Sequence, residues 1–221
     1  MVAAVSAMRN FTAPLKVGFS VILFVACATA AQAGVPTDQL KTHVDEVLKV
    51  LENPALRTPD KADERRDVIR KVANQIFDFE ETAKRALGPH WAARTPAERK
   101  EFVGLFTDLL ERSYVSRIEQ YGGEKVTYAG DQVTGDQALV KTRILSKTGT
   151  EIPVDYRMHK LADGWRVYDV NIEGVSLVSN YRTQFNKIVQ TESYTALVDR
   201  LKSRGMGDGA ASPKTPRREP R

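Results

Sequence analysis

His43, His90 and His159 are the histidines of this 221-residue chain, and Cys27 is its one cysteine. Metal chemistry needs such groups at H-x-H, H-E-x-x-H or paired Cys/His spacing. These four are scattered, so no metal centre is expected. No G-x-S-x-G elbow marks a serine nucleophile, and no glycine-rich loop opens a helix after a strand as a phosphate cradle. Two denser groupings remain. Asp155, Arg157 and His159 alternate in a period-two run, so they share one strand face. That face is the polar one, and a solvated charge ladder explains it. Tyr168-Asp169 could move a proton beside an apolar pocket, as in ketosteroid-isomerase-like folds. Adjacent strand residues point to opposite faces, however, so the strand alone cannot bring these two to one site. The chain is not expected to be an enzyme; a small-substrate enzyme on a pocketed fold stays as an alternative.

The N-terminus carries an address. Met1 to Lys16 holds Arg9, Lys16 and no acid; Val17 to Ala30 is a short apolar run; Ala31-Gln32-Ala33 follows. That order is a secretory signal peptide, residues 1–33, cut after Ala33, and it sends the product out of the cytoplasm. The run is too short for a good membrane span. Phe24-Val25-Ala26-Cys27 is a poor lipoprotein box, lacking the usual Leu three residues before the cysteine, so lipidation of Cys27 is left open. Cleavage after Ala33 removes that cysteine, and the product then depends on no disulfide.

The chain's net charge of +5 is concentrated at its ends. The leader contributes +2 and residues 202–221 contribute +4, which leaves residues 34–201 at −1. A nearly neutral domain is not built for nucleic acid, whose basic footprint should sit on the fold itself. Residues 205–221 are rich in Gly, Ala, Ser, Pro and Arg and read as a disordered basic tail.

Between these ends lies one domain, residues 34–204. Leu40, Val44, Val47, Leu48 and Leu51 recur at helical spacing, as do Val68, Ile69, Val72 and Ile76. Asp78 with Glu81 starts a short helix that Gly88-Pro89 ends. Thr95-Pro96-Ala97-Glu98 starts a long one, to about Gln120, whose face carries Phe102, Leu105, Phe106, Leu109, Leu110 and Tyr114. The period then changes to two. Strands are expected at Lys125–Ala129, Ala138–Ser146, Glu151–Leu161 and Trp165–Glu173, joined by short turns, before helices return. The class is α+β: a four-stranded antiparallel meander covered by helices from both ends of the chain, with the long aromatic helix as its lid.

The strands raise a problem. The third points Ile152, Val154, Tyr156 and Met158 one way and charged groups the other. The fourth has Trp165 and Val167 on one face but Tyr168, Val170 and Ile172 on the other. Such residues build either a solid core or the lining of an apolar cavity, and pattern alone does not separate the two.

A family resemblance bears on the choice. Trp165-Arg-Val-Tyr-Asp-Val-x-Ile-Glu-Gly-Val-Ser-Leu-Val, followed by Asn180-Tyr181-Arg182 and Gln184-Phe185, resembles the signature of MlaC-type periplasmic proteins, also called toluene-tolerance auxiliary substrate-binding proteins. Upstream, Leu87-Gly88-x-x-Trp91, Thr95-Pro96-x-Glu98-Arg99, Phe102-x-x-x-Phe106-x-x-x-Leu110 and Ser113-Tyr114 fit the same pattern. The resemblance covers roughly residues 40–204. It implies a carrier, expected to act as a monomer, that holds a glycerophospholipid with both acyl chains inside an apolar cavity and the headgroup in water. It implies two docking partners: an outer-membrane lipoprotein–porin complex and the MCE-domain ring of an inner-membrane ABC transporter. Outer-membrane lipid asymmetry would be the outcome, and cargo lipid replaces any resident cofactor.

The inward faces would line such a cavity: Phe102, Phe106, Leu109 and Tyr114 on the long helix; Ile144, Val154, Tyr156 and Met158 on strands; Val170, Ile172, Val175, Leu177, Val178 and Tyr181 around the strand-to-helix junction. Ordinary core packing is the competing role for each. A ligand-free adaptor with a solid core is the third reading.

Overall fold

The computed structural model describes residues 35–205; the leader, Cys27 and the basic tail beyond Gly205 lie outside the described residues. Helix α1 (Val35–Glu52) buries Leu40 and Leu51 of its apolar stripe. Two 3-10 turns, Pro54–Leu56 and Pro59–Lys61, lead into α2 (Ala62–Ile76). Helix α3 (Phe79–Leu87) starts on Asp78, whose carboxylate accepts from the Glu81 N–H at 2.8 Å. Helix α4 (Pro96–Glu119) opens on a reciprocal capping box. Glu98 N–H donates to Thr95 Oγ1 at 3.3 Å, and Thr95 N–H donates to the Glu98 carboxylate at 2.7 Å. The bonds from Thr95 hold the Glu98 carboxyl below its ordinary range.

The sheet has five strands, not the four expected. They are β1 (Lys125–Thr134), β2 (Gln137–Leu145), β3 (Glu151–Leu161), β4 (Gly164–Ile172) and β5 (Val175–Ser176), antiparallel in chain order. The added strand is two residues long, too short to show a period. It pairs Asn171 with Ser176 and Ile172 with Val175. Between them Glu173 (φ 51°) and Gly174 (φ 85°) form a two-residue turn with both φ values positive, the geometry that follows strand twist. Helices α5 (Leu177–Thr191) and α6 (Tyr194–Lys202) complete the fold.

Two bulges decide what the sheet faces. In β4, Val167 pairs with Met158 but Asp169 pairs with Arg157, so Tyr168 is an extra residue. Beyond it the inside–outside alternation reverses. Val170 opposite Tyr156 and Ile172 opposite Val154 therefore share the face of Trp165 and Val167. The fourth strand has one apolar face, not two. In β1, Tyr128 pairs with Thr142 and Asp131 with Val140, so the strand continues past Ala129 through a bulge at Gly130 (φ 94°). That bulge turns Asp131 inward to accept from Thr37 N–H (3.1 Å) and Thr37 Oγ1 (2.7 Å), capping the start of α1.

The helices divide between two cores. One joins Leu40 of α1 and Ile76 of α2 to Ala138, Val140, Met158, Trp165 and Val167 of the sheet. The other is wholly helical: Phe102, Phe106, Leu109 and Leu110 of α4 pack with α3, α5 and α6. The lid expectation is thus corrected. Helix α4 closes a helical layer, while α1 and α2 cover the sheet. Gln39 of α1 explains part of this, because its amide bonds both the N–H (2.9 Å) and the C=O (3.0 Å) of Trp165.

Asp169 joins sheet to helices. It is 3% exposed and accepts from Ser176 Oγ at 2.7 Å and Val178 N–H at 3.0 Å, holding β5 and the start of α5 to β4. Asp169→Ala should cost about 3 kcal/mol in chemical denaturation, against about 0.5 kcal/mol or less for Asp155→Ala on the same sheet's outer face.

Helices α2 and α4 are clasped by charge. Arg65 and Arg66 both bond Glu119, and Arg70 bonds Glu111. Burial opposes the Glu119 charge, but the hydrogen bonds from Arg66 and Arg65 outweigh it and keep the carboxyl below its ordinary value. A carboxyl with a depressed folded pKa stabilises fully above the unfolded value of about 4.3 and loses that contribution as pH falls through the folded value. The stability gap between wild type and Glu119→Gln, measured by urea unfolding, should therefore narrow as pH falls from about 5 towards 3.

Candidate functional site

The groups that looked reactive in sequence have structural partners. His159 Nε2 lies 3.0 Å from Asp78 Oδ2, and its ring meets Tyr168 edge-on at 5.7 Å. The Arg85 guanidinium stacks over Tyr168 at 4.1 Å from the ring centre. His90 Nε2 meets Asn186 Oδ1 at 2.8 Å, and His43 sits beside Glu46 on α1. Asp155, Arg157 and His159 do share the outer face, but Arg157 leans towards Asp169 and His159 is held by the α3 cap. Among the described residues no group of His, Cys, Asp or Glu could hold a metal ion, and no helix is long and apolar enough to cross a membrane.

All but one of the residues expected to line an interior fall into three places. Phe102, Phe106, Leu109 and Tyr181 are inside the helical core. There the Phe106 ring packs edge-on against Tyr181 at 5.0 Å and Phe185 at 5.1 Å, and Phe102 against Phe185 at 5.6 Å. Met158, Val154 and Val178 are buried at the sheet or beside it. The third group is half-buried: Tyr114 and Leu177 against the helical core, Tyr156 and Val170 against the sheet core, with Ile144 and Ile172 beyond them on the same sheet face. Val175 stands apart, 49% exposed on β5.

Side chains that face inward yet keep some accessible surface therefore border both cores. Burial pushes the Tyr156 hydroxyl up to about 12, a rise that Thr142 opposes by hydrogen bonding. Burial, Asp45 and Tyr156 raise Tyr128 as well. Tyr128 and Val44 join this wall, and neither was among the residues expected in a site. The Val126/Tyr128 alternation carried the signal for Tyr128, but the bulge at Gly130 cut that strand short in sequence. A separate, shallow groove of about 580 Å³ lies on the helical side, lined by Glu81, Lys84, Arg85, Trp91 and Arg182 among others. It is open and charged, and holds none of the expected lining residues.

The family model described as MlaC protein matches residues 41–203. The chain belongs to the MlaC family. It is 19% identical over 197 residues to the intermembrane phospholipid transport system binding protein MlaC of Haemophilus influenzae, covering 85% of this chain and 92% of that one. It is 20% identical over 178 residues to the toluene tolerance protein ttg2D of Pseudomonas putida, covering 80% and 83%. Among solved structures, the phospholipid-binding protein from Ralstonia solanacearum, in complex with a phospholipid, matches with a TM-score of 0.69 and 26% identity. That match covers 80% of this chain and 99% of the other.

For this MlaC-family chain, the core and half-buried groups predict different responses. Phe106→Ala should cost about 3–5 kcal/mol in denaturant unfolding, because the closed aromatic cluster leaves a cavity. Val170→Ala, only partly covered, should cost about 1 kcal/mol.

Proposed function

We propose that this protein is a periplasmic carrier of a glycerophospholipid and not an enzyme. The observation that carries the reading is the match to a solved protein that holds a phospholipid, joined to the half-buried apolar wall on the equivalent kind of fold. The acyl chains would lie between the sheet face and the helical core. Tyr114, Ile144, Tyr156, Val170, Ile172 and Leu177 would touch them, with the buried residues behind as support. Tyr156 favours this placement. It is deep enough for burial to raise its hydroxyl, yet its neighbours do not close it off.

The energetics suit a carrier. Two acyl chains hold roughly thirty CH₂ groups, worth about 0.8 kcal/mol each, so exposing them to water costs more than about 20 kcal/mol. Transfer from a bilayer into an equally apolar pocket is near balance. The carrier need only match the membrane, and it releases lipid into another apolar site rather than into water. The name of the Haemophilus influenzae relative, an intermembrane phospholipid transport system binding protein, supports docking at two membranes. The partners are an outer-membrane lipoprotein–porin complex and the MCE-domain ring of an inner-membrane ABC transporter, and the outcome is maintained outer-membrane lipid asymmetry.

Mass spectrometry of an organic extract of periplasmically expressed protein should find a stoichiometric glycerophospholipid. Lipid-free protein from that compartment would overturn the carrier reading. Val170→Arg and Leu177→Arg should lose the lipid while keeping the circular dichroism of the fold. Outright unfolding would mark these positions as plain core.

A further inference from the structure

Tyr128 on β1 sits opposite Thr142, which is buried on the inner face of β2. Paired residues share a face, so the Tyr128 ring stands over the interior, packed against the sheet core. Its hydroxyl is shut off from water and has no hydrogen-bond partner among the described residues. Buried polar atoms are nearly always paired, and an orphan needs an explanation. Burial foremost, then the Asp45 carboxylate and Tyr156, raise the Tyr128 pKa, so the group stays protonated and is available as a donor. What it lacks is an acceptor.

The surroundings select the kind of acceptor. The sheet core that Tyr128 packs against, with Ala138, Val140 and Met158, is apolar, which favours a neutral oxygen over a charged one. The Asp45 carboxylate that acts on Tyr128 is paired with Lys41 at 2.5 Å, so it is the apolar surroundings that argue against a phosphate. In a glycerophospholipid the neutral oxygens at the root of the acyl chains are the ester carbonyls. We propose that the Tyr128 hydroxyl donates a hydrogen bond to an acyl ester carbonyl of the bound lipid and so sets how deeply the cargo seats. This rests on the carrier reading, and it names the one part of the cargo that a polar group inside the protein recognises. Headgroup identity does not enter, because Tyr128 is on the inner face of the sheet.

The test loads the protein from vesicles holding equal amounts of diacyl phosphatidylglycerol and its dialkyl ether analogue with the same chains, which lacks the carbonyls. The two lipids are then counted in the extract by mass spectrometry. Wild type should be enriched in the diester by roughly five- to tenfold, the effect of one hydrogen bond to a neutral acceptor. Tyr128→Phe should bring the ratio close to equality while still carrying lipid, and its lipid-free form should melt no lower than wild type, since no folded-state bond is removed. An equal ratio in wild type overturns the proposal without need of any variant. So does an unchanged enrichment in Tyr128→Phe, or an equal loss of both lipids. Wild type that takes up neither lipid overturns the carrier reading instead.

Discussion

Tyr168 stands unpaired in β4 opposite the step from Arg157 to Met158, and the arrangement of both cores follows from it. A regular strand would turn Val170 and Ile172 away from Trp165 and Val167. With one residue added, all four face inward, so the sheet presents a single apolar surface long enough to serve two purposes. Trp165 and Val167 meet α1 and α2 in the sheet core. Val170 and Ile172 continue the surface past that core, where cover thins. The same bulge leaves Asp169 directed outward, where it caps α5 and ties down β5. One backbone irregularity therefore sets both the inner wall and the docking of the helical layer.

The two cores differ in kind. The helical one is closed by interlocking aromatic rings of α4 and α5, and the sheet core by Trp165 with Met158 and aliphatic groups under α1 and α2. Tyr156, Val170, Ile172 and Leu177 are half-buried beside these cores. The charged clasp of Arg65, Arg66 and Arg70 with Glu119 and Glu111 holds α2 to α4, so these helices are joined by polar contacts as well as by packing.

Polar residues that resemble catalytic groups serve as fasteners here. Asp78 begins α3 and holds His159; Asp131 begins α1; Asp169 begins α5. In each case a carboxylate satisfies backbone N–H groups that a helix start leaves unpaired. Such a residue is spent on structure.

Local order was legible in the chain. The helices of α1, α2 and α4, the capping box at Thr95–Glu98 and the antiparallel meander all follow from spacing and from the residues that start and end each element. The family, too, was legible, because the Trp165 to Phe185 block is a distinctive string. What the sequence could not determine was register and partnership. The bulges at Gly130 and Tyr168 shift the pairing by one residue, and only the opposing strand reveals such a shift, so β1 read too short and β4 read as two-faced. The partner of α4 was equally hidden, because an apolar helix face fits a sheet or other helices alike. Tyr128 shows the same division: its type and place in a strand are local facts. The lack of an acceptor for its hydroxyl among the described residues is a property of everything folded around it.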